Sequence, residues 1–141
     1  MIKTVAGHPL RGKRWVLPLT YAPKIPGVIG GTIRQTIRPG RKYAVGDWVS
    51  FHGWSGVPYR SPWSFRTGYF LLYEVKEIII HKHGIRHVTD GVAGPLRSWS
   101  NYDDLAARDG IQPPTGQALG ALFRSMHRIP DEGLPMQIIR W

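Results

Sequence analysis

Phe70-Leu-Leu-Tyr-Glu-Val-Lys-Glu-Ile-Ile-Ile80, followed by His81-Lys-His-Gly84 and Ile85-Arg-His-Val-Thr89, is the stretch that decides the fold class. Its first part is an aromatic and β-branched run of the kind that fits a pleated, half-buried surface. Glu74 and Glu77 inside it read as exposed strand positions. The next four residues are polar and end in glycine, and a second β-branched run follows, so the whole predicts a hairpin in the middle of an antiparallel sheet.

Upstream, Trp15 to Leu19, Arg34 to Arg38 and Trp48 to Trp54 read as short strands, with turns at Pro39-Gly40 and Gly46-Asp47. Between the first two, Pro23 and Pro26 limit Tyr21 to Gly31 to a short helical turn, and residues 53 to 68 read as a long loop rich in aromatics and arginine. Downstream the pattern changes. Asp103 to Arg108 suits a short helix ended by Gly110, and Thr115 to His127 a longer one with Leu119, Leu122, Phe123 and Met126 on a core-facing stripe. Met136 to Trp141 returns to a strand. The expectation is an α+β fold in one domain over residues 1–141, with residues 1–13 as an N-terminal extension. Its architecture is a compact β-barrel of about six mostly antiparallel strands with two inserted helices.

A chain of 141 residues is long enough to bury a core without disulfides or a structural metal, and it contains no cysteine. Thiolate metal sites and cysteine nucleophiles are therefore excluded. No apolar run approaches a membrane span and the start lacks a signal-peptide core, so a soluble cytoplasmic protein without membrane partners is expected. The net charge of +10 is unevenly divided: residues 1–60 hold ten Lys and Arg against the single acid Asp47, and residues 61–141 hold nine against eight. Such clustering suits phosphate binding, which releases condensed counterions. It points to nucleic acid, RNA before DNA, or to a modified nucleoside. An acidic protein surface is the remaining kind of partner. Gly27-Val-Ile-Gly-Gly31 lacks the Lys-Ser/Thr ending of a phosphate-binding loop, and no GxSxG elbow is present.

Gly31-Thr-Ile-Arg-Gln-Thr-Ile-Arg38, with Pro39-Gly-Arg-Lys-Tyr and Val45-Gly46-Asp47 after it, resembles the GxKxxExR signature of ASCH domains in the PUA-like superfamily. Trp54 to Ser61, the central hairpin, Leu105-Ala-Ala-Arg-Asp-Gly110, the amphipathic helix and Ile138-Ile-Arg-Trp141 follow in the order of phage and bacterial ASCH proteins, so the resemblance covers residues 15–141. It implies a PUA-like barrel in a bacterial or phage-encoded protein, with a cleft that takes RNA, a nucleoside or a modified base. Some members are nucleases or RNA binders. Others are amidohydrolases that remove the acetyl group of N4-acetylcytidine with a lysine, a threonine and a glutamate.

Carried over residue by residue, Thr36 matches the threonine and Arg38 the motif arginine, Asp109 falls at the glutamate one methylene shorter, and Ile33 occupies the lysine position. Isoleucine has no proton to exchange, and Arg34 beside it stays protonated and points to the other strand face. Lys42 is a more distant source of an amine. The residues therefore favour binding over hydrolysis. In the binding reading Arg34, Arg38, Arg41 and Lys42 hold phosphates, Thr36 and Asp109 read a base edge, and the aromatic stretch Trp48, Trp54, Tyr59, Arg60 and Trp63 offers a stacking platform, with Tyr59, Arg60 and Trp63 its best members and Trp48, then Trp54, also readable as core. In the enzymatic reading Thr36 is the nucleophile or its positioning group, Asp109 the acid/base and Arg38 the electrostatic stabiliser. His81, His83 and His87 flank the hairpin with no carboxylate at a supporting spacing, so no metal and no cofactor is expected.

Overall fold

The computed structural model describes residues 12–54, 57 and 60–141, without the side chain of Trp63, and adds the backbone of a pair of two-residue strands, Thr4–Val5 and His8–Pro9. The chain is a mixed α+β fold. Among the other described residues ten strands lie in two sheets, with three α-helices.

The strands in chain order are β1 (Arg14–Pro18), β2 (Gln35–Pro39), β3 (Trp48–Trp54), β4 (Trp63–Arg66), β5 (Phe70–Leu71), β6 (Glu74–His81), β7 (Gly84–Thr89), β8 (Val92–Ala93), β9 (Arg97–Ser98) and β10 (Leu134–Arg140). The helices are α1 (Ile25–Gly30), α2 (Asp103–Arg108) and α3 (Gly116–Met126). The larger sheet runs β8-β7-β6-β10-β2 with β9 also on β7, and the smaller runs β1-β3-β4 with β5 also on β3. The predicted hairpin is β6–β7, turning through Lys82-His83 with Ile80 opposite Ile85.

Strand β10 shows how the layers stack. Its successive side chains alternate between faces. Met136 and Ile138 join Trp99, Leu105, Leu119 and Phe123 in a core under the helices. Ile139 and then Trp141 join Leu17, Val49 and Phe51 in a second core shared with the smaller sheet. The larger sheet is therefore covered on both faces, and Met136 to Ile139 are all buried. The buried amide of Gln137 is satisfied there by the backbone N–H and C=O of Tyr43, at 2.9 and 3.0 Å. A buried amide left without such partners would cost about 1–3 kcal/mol.

Four expectations are corrected. Residues 53 to 68 are not all loop, because β4 pairs there with β3 across an irregularity at Gly53/Trp54. The run Phe70 to Ile80 is not one strand. It breaks at fully buried Leu72, whose N–H donates to Asp47 O while that of Tyr73 donates to Arg140 O, so the chain passes from one sheet to the other. Tyr21 to Gly31 holds a 3₁₀ turn at Ala22–Lys24 followed directly by α1, since both prolines fall in first turns, where no N–H partner is lost. Met126 is 53% exposed rather than core, unlike Leu119 and Phe123 on the same stripe. The Gly46-Asp47 turn is a structural tie, for the Asp47 carboxylate accepts from Lys13 N, Trp15 Nε1 and Ala44 N and so holds β1 to the approach of β3.

Candidate active site

Strand β2 is an edge of the larger sheet, and the segment after β1 runs beside it. That segment carries Lys24, the last residue of the 3₁₀ turn. Val28, fully buried in the second core, anchors α1, and Gly31 ends α1 in the left-handed conformation at φ +83°. Lys24 is thereby fixed with 5% exposure, unusual for a lysine. Its Nζ lies 3.1 Å from Thr36 Oγ1 and 3.4 Å from Asp109 Oδ2.

Thr36 and Gln35 are successive residues of β2 and so leave the strand on opposite faces. Both are buried. Gln35 Nε2 donates to Leu105 O at 3.2 Å and to Asp109 Oδ1 at 3.3 Å, so the two carboxylate oxygens of Asp109 face Gln35 and Lys24 respectively. Asp109 caps the C-terminus of α2, and Gly110 after it has φ +76°, as expected for a helix-ending glycine. Gly110 serves the site as well: a Cβ there would stand 2.8 Å from Lys24 Cβ and 3.3 Å from Ile33 Cδ1. Lys24 and Ile33 thus flank one point of the backbone. The position that the resemblance gives to lysine is isoleucine, and an amine from a neighbouring segment reaches the threonine instead.

Burial governs the protonation of this pair. Desolvation pulls the Lys24 ammonium down from the ordinary lysine value, opposed by the attraction of Asp109 and reinforced by repulsion from Arg38. Desolvation pushes the Asp109 carboxyl up, opposed by Lys24, by the hydrogen bond from Gln35 and by Arg38. Both groups move toward their uncharged forms, which is what a lysine needs to accept a proton.

Lys24, Thr36, Arg38 and Asp109 line one pocket of about 270 Å³. Its apolar wall includes Ile111, Leu119, Leu122, Phe123 and Met126, with Tyr21 and His127 at the margins. Exposed Met126 is accounted for as part of that wall. Arg38 Nη2 donates to Pro18 O at 2.6 Å, and its guanidinium lies 6.0 Å over the Phe51 ring. Thr36, Arg38 and Asp109, predicted as one group, line this one pocket, and Lys24, bonded to Thr36 and Asp109, and Gln35, bonded to Asp109, are neighbours that the sequence reading missed. The signal for Lys24 was slight: one cation in the otherwise uncharged stretch Tyr21 to Gly31.

Of the other predicted contacts, Arg34, Arg41, Lys42 and Arg60 lie outside the pocket lining. Arg34 is exposed, with Nε bonded to Gly31 O, and Arg41 and Arg60 are exposed. Lys42 packs its ammonium 5.3 Å from the ring centres of both Trp15 and Tyr43. Tyr59 and the side chain of Trp63 lie outside the described residues. Trp48 and Trp54 are half-buried at the two ends of β3, not in the core. His87 Nε2 is 3.0 Å from Tyr102 Oη, and no group of three His, Cys, Asp or Glu among the described residues is arranged to hold a metal. No helix among them is long and apolar enough to cross a membrane. No family model, curated protein or solved structure matches this chain.

Proposed function

We propose that this protein is an amidohydrolase acting on an N-acylated nucleoside of the N4-acetylcytidine type, built on a PUA-like barrel of the ASCH kind. The observation that carries the reading is the buried Lys24 amine in hydrogen-bonding reach of both Thr36 Oγ1 and Asp109 Oδ2, at the wall of a pocket. The fold assignment is supported by the strand that holds the signature residues and by the structural Gly46-Asp47 turn behind it.

Neutral Lys24 takes the proton of the Thr36 hydroxyl as Oγ1 attacks the acyl carbonyl carbon. Arg38, charged at any working pH, faces the oxyanion that develops on the carbonyl oxygen. Collapse breaks the carbon–nitrogen bond, and the new Lys24 ammonium returns its proton to the leaving exocyclic amine of the base. The acyl group now rests on Thr36 as an ester. Water attacks that ester with Lys24 again as base, Thr36 Oγ1 recovers its proton from Lys24 as the carbon–oxygen bond breaks, and the acid product leaves and gives its remaining proton to solvent. Asp109 and Gln35 are positioning residues: the carboxylate aims the amine, and the amide aims the carboxylate.

The test is release of cytidine and acetate from N4-acetylcytidine by the full chain, with Thr36→Ala as the control. No release by the unaltered protein, or equal release by the variant, overturns the assignment. A second reading, recognition of the nucleoside without turnover, draws on the attraction of Asp109, which favours a protonated Lys24. Saturable binding of N4-acetylcytidine without any cytidine release would establish it.

A further inference from the structure

Two further cavities lie in series with the pocket. One of about 680 Å³ is lined by Lys82, Arg124, His127 and Arg128, with Asp131 as its carboxylate. A second, of about 410 Å³, is lined by Lys82, His83 and Arg124 beside Trp99 and Ser98. They share Lys82 and Arg124, and the first shares His127 with the Lys24 pocket. The three depressions thus form one path, from the Lys24 pocket past His127 to the Lys82-His83 turn of the β6–β7 hairpin. Beyond the Lys24 pocket, the two further cavities take their linings from residues 82–131 and not from β2 or the basic residues 1–60.

The geometry points to this path as a subsite for the sugar–phosphate backbone of a single-stranded polynucleotide whose acylated base occupies the Lys24 pocket. This rests on the amidohydrolase reading and specifies its substrate as a residue within a chain rather than a free nucleoside. Three fixed cations border the path, Lys82, Arg124 and Arg128, and none forms an ion pair with a carboxylate among the described residues. All three are exposed, so they are hydrated and available to phosphates. Arg124 is also held in place, since its Nη1 donates to Lys82 O at 2.9 Å and joins α3 to the hairpin turn. Cations in sequence beside a base-sized pocket suit a polymer with one charge per residue, because each phosphate neutralised adds affinity by counterion release. An isolated nucleoside would leave the path unused.

The experiment compares the unaltered chain with a Lys82→Ala/Arg128→Ala double variant, two exposed positions whose side chains make no described contact needed for folding. Binding of a fluorescent single-stranded oligouridylate is measured across a salt series, and hydrolysis is measured on N4-acetylcytidine both free and within an oligonucleotide. The expected result is oligouridylate affinity lower by about tenfold or more, with a log–log salt slope smaller by roughly 1 to 1.5, as for two lost phosphate contacts on a single strand. Hydrolysis of the free nucleoside stays unchanged while KM for the oligonucleotide rises. Equal affinity and slope in both proteins overturns the subsite, as does an oligoglutamate of matching charge that displaces the RNA equally well, which would mark the path as a surface for an acidic protein. Failure of the unaltered chain to hydrolyse either substrate refutes the amidohydrolase reading and with it the base pocket, while the binding series still reports separately on the phosphate path.

Discussion

Replacing Lys24 by methionine separates what the buried pair does for chemistry from what it does for stability. Lys24 and Asp109 are 5% and 6% exposed, so removing the ammonium leaves a carboxylate in a dry site with one side-chain donor, Gln35 Nε2. Breaking a buried pair costs about 3–5 kcal/mol when the remaining charge persists. Asp109 avoids part of that by taking up a proton, because burial already pushes its carboxyl up, so a loss of about 2–3 kcal/mol is expected near neutral pH. The sign with pH follows from the raised carboxyl. Its stabilising protonated form is fully present below the ordinary aspartate value of 3.8 and is lost as pH rises through the higher folded value, so the deficit of Lys24→Met shrinks on acidification. A Lys24→Met/Asp109→Leu double variant removes both charges and should regain most of the stability, since apolar replacement of a buried pair is often neutral or stabilising. Turnover is not regained: both variants lack the base and should be slower by about 10²- to 10⁴-fold. Urea denaturation across a pH series and N4-acetylcytidine hydrolysis at matched folded fraction are the assays. Turnover by Lys24→Met close to that of the unaltered protein would refute the role of the amine. A double variant less stable than Lys24→Met would refute the energetic reasoning.

Thr36→Ser should keep turnover and Thr36→Ala abolish it, with nucleoside binding retained in both; equal rates would remove Thr36 as nucleophile. In the pH profile of kcat/KM the acid limb reports deprotonation of Lys24 and should lie below the ordinary lysine range. Asp109→Asn removes an attraction for the ammonium and should move that limb to lower pH, whereas Arg38→Gln removes a repulsion and should move it to higher pH. Shifts of the opposite sign would mean that another group titrates. Gly110→Ala should lose about 1–2 kcal/mol from its left-handed backbone alone and more from crowding Lys24 Cβ, with a fall in kcat that calorimetry and kinetics would report together. In Gly116→Ala the new methyl would press on the Trp99 carbonyl, a rigid backbone atom, and soluble folded protein is not expected from expression trials.

Local order along the chain carried much of the fold. The hairpin β6–β7, the closing strand β10, the helices α2 and α3 and the turns at Gly40 and Gly46 all follow from period, β-branching, capping and glycine placement. Thr36 and Arg38 were legible in the stretch Gly31 to Arg38, and Asp109 in the separate stretch Leu105 to Gly110, and all three line one pocket. What failed was partly local, as where two prolines fall in first turns between Tyr21 and Gly31, and partly set by neighbours distant in sequence. The break at Leu72 requires Asp47 and Arg140. The half-buried state of Trp48 and Trp54 depends on where β3 lies between its neighbours, and Met126 is exposed because the pocket lies beside it.

The sequence by itself determined the α+β class, the absence of thiol chemistry, the basic character and three members of the site, because composition and short-range period fix these without reference to distant contacts. Only the tertiary structure decided that an amine reaches Thr36. Position 33, to which the resemblance gives a lysine, is isoleucine, and Lys24, nine residues earlier, reaches Thr36 by way of two proline-started turns packed against the bare backbone of Gly110. Burial then draws that amine toward neutrality. Neither the distance nor the desolvation has a signature in the order of residues, since both arise from packing segments that lie 12 and 85 residues apart.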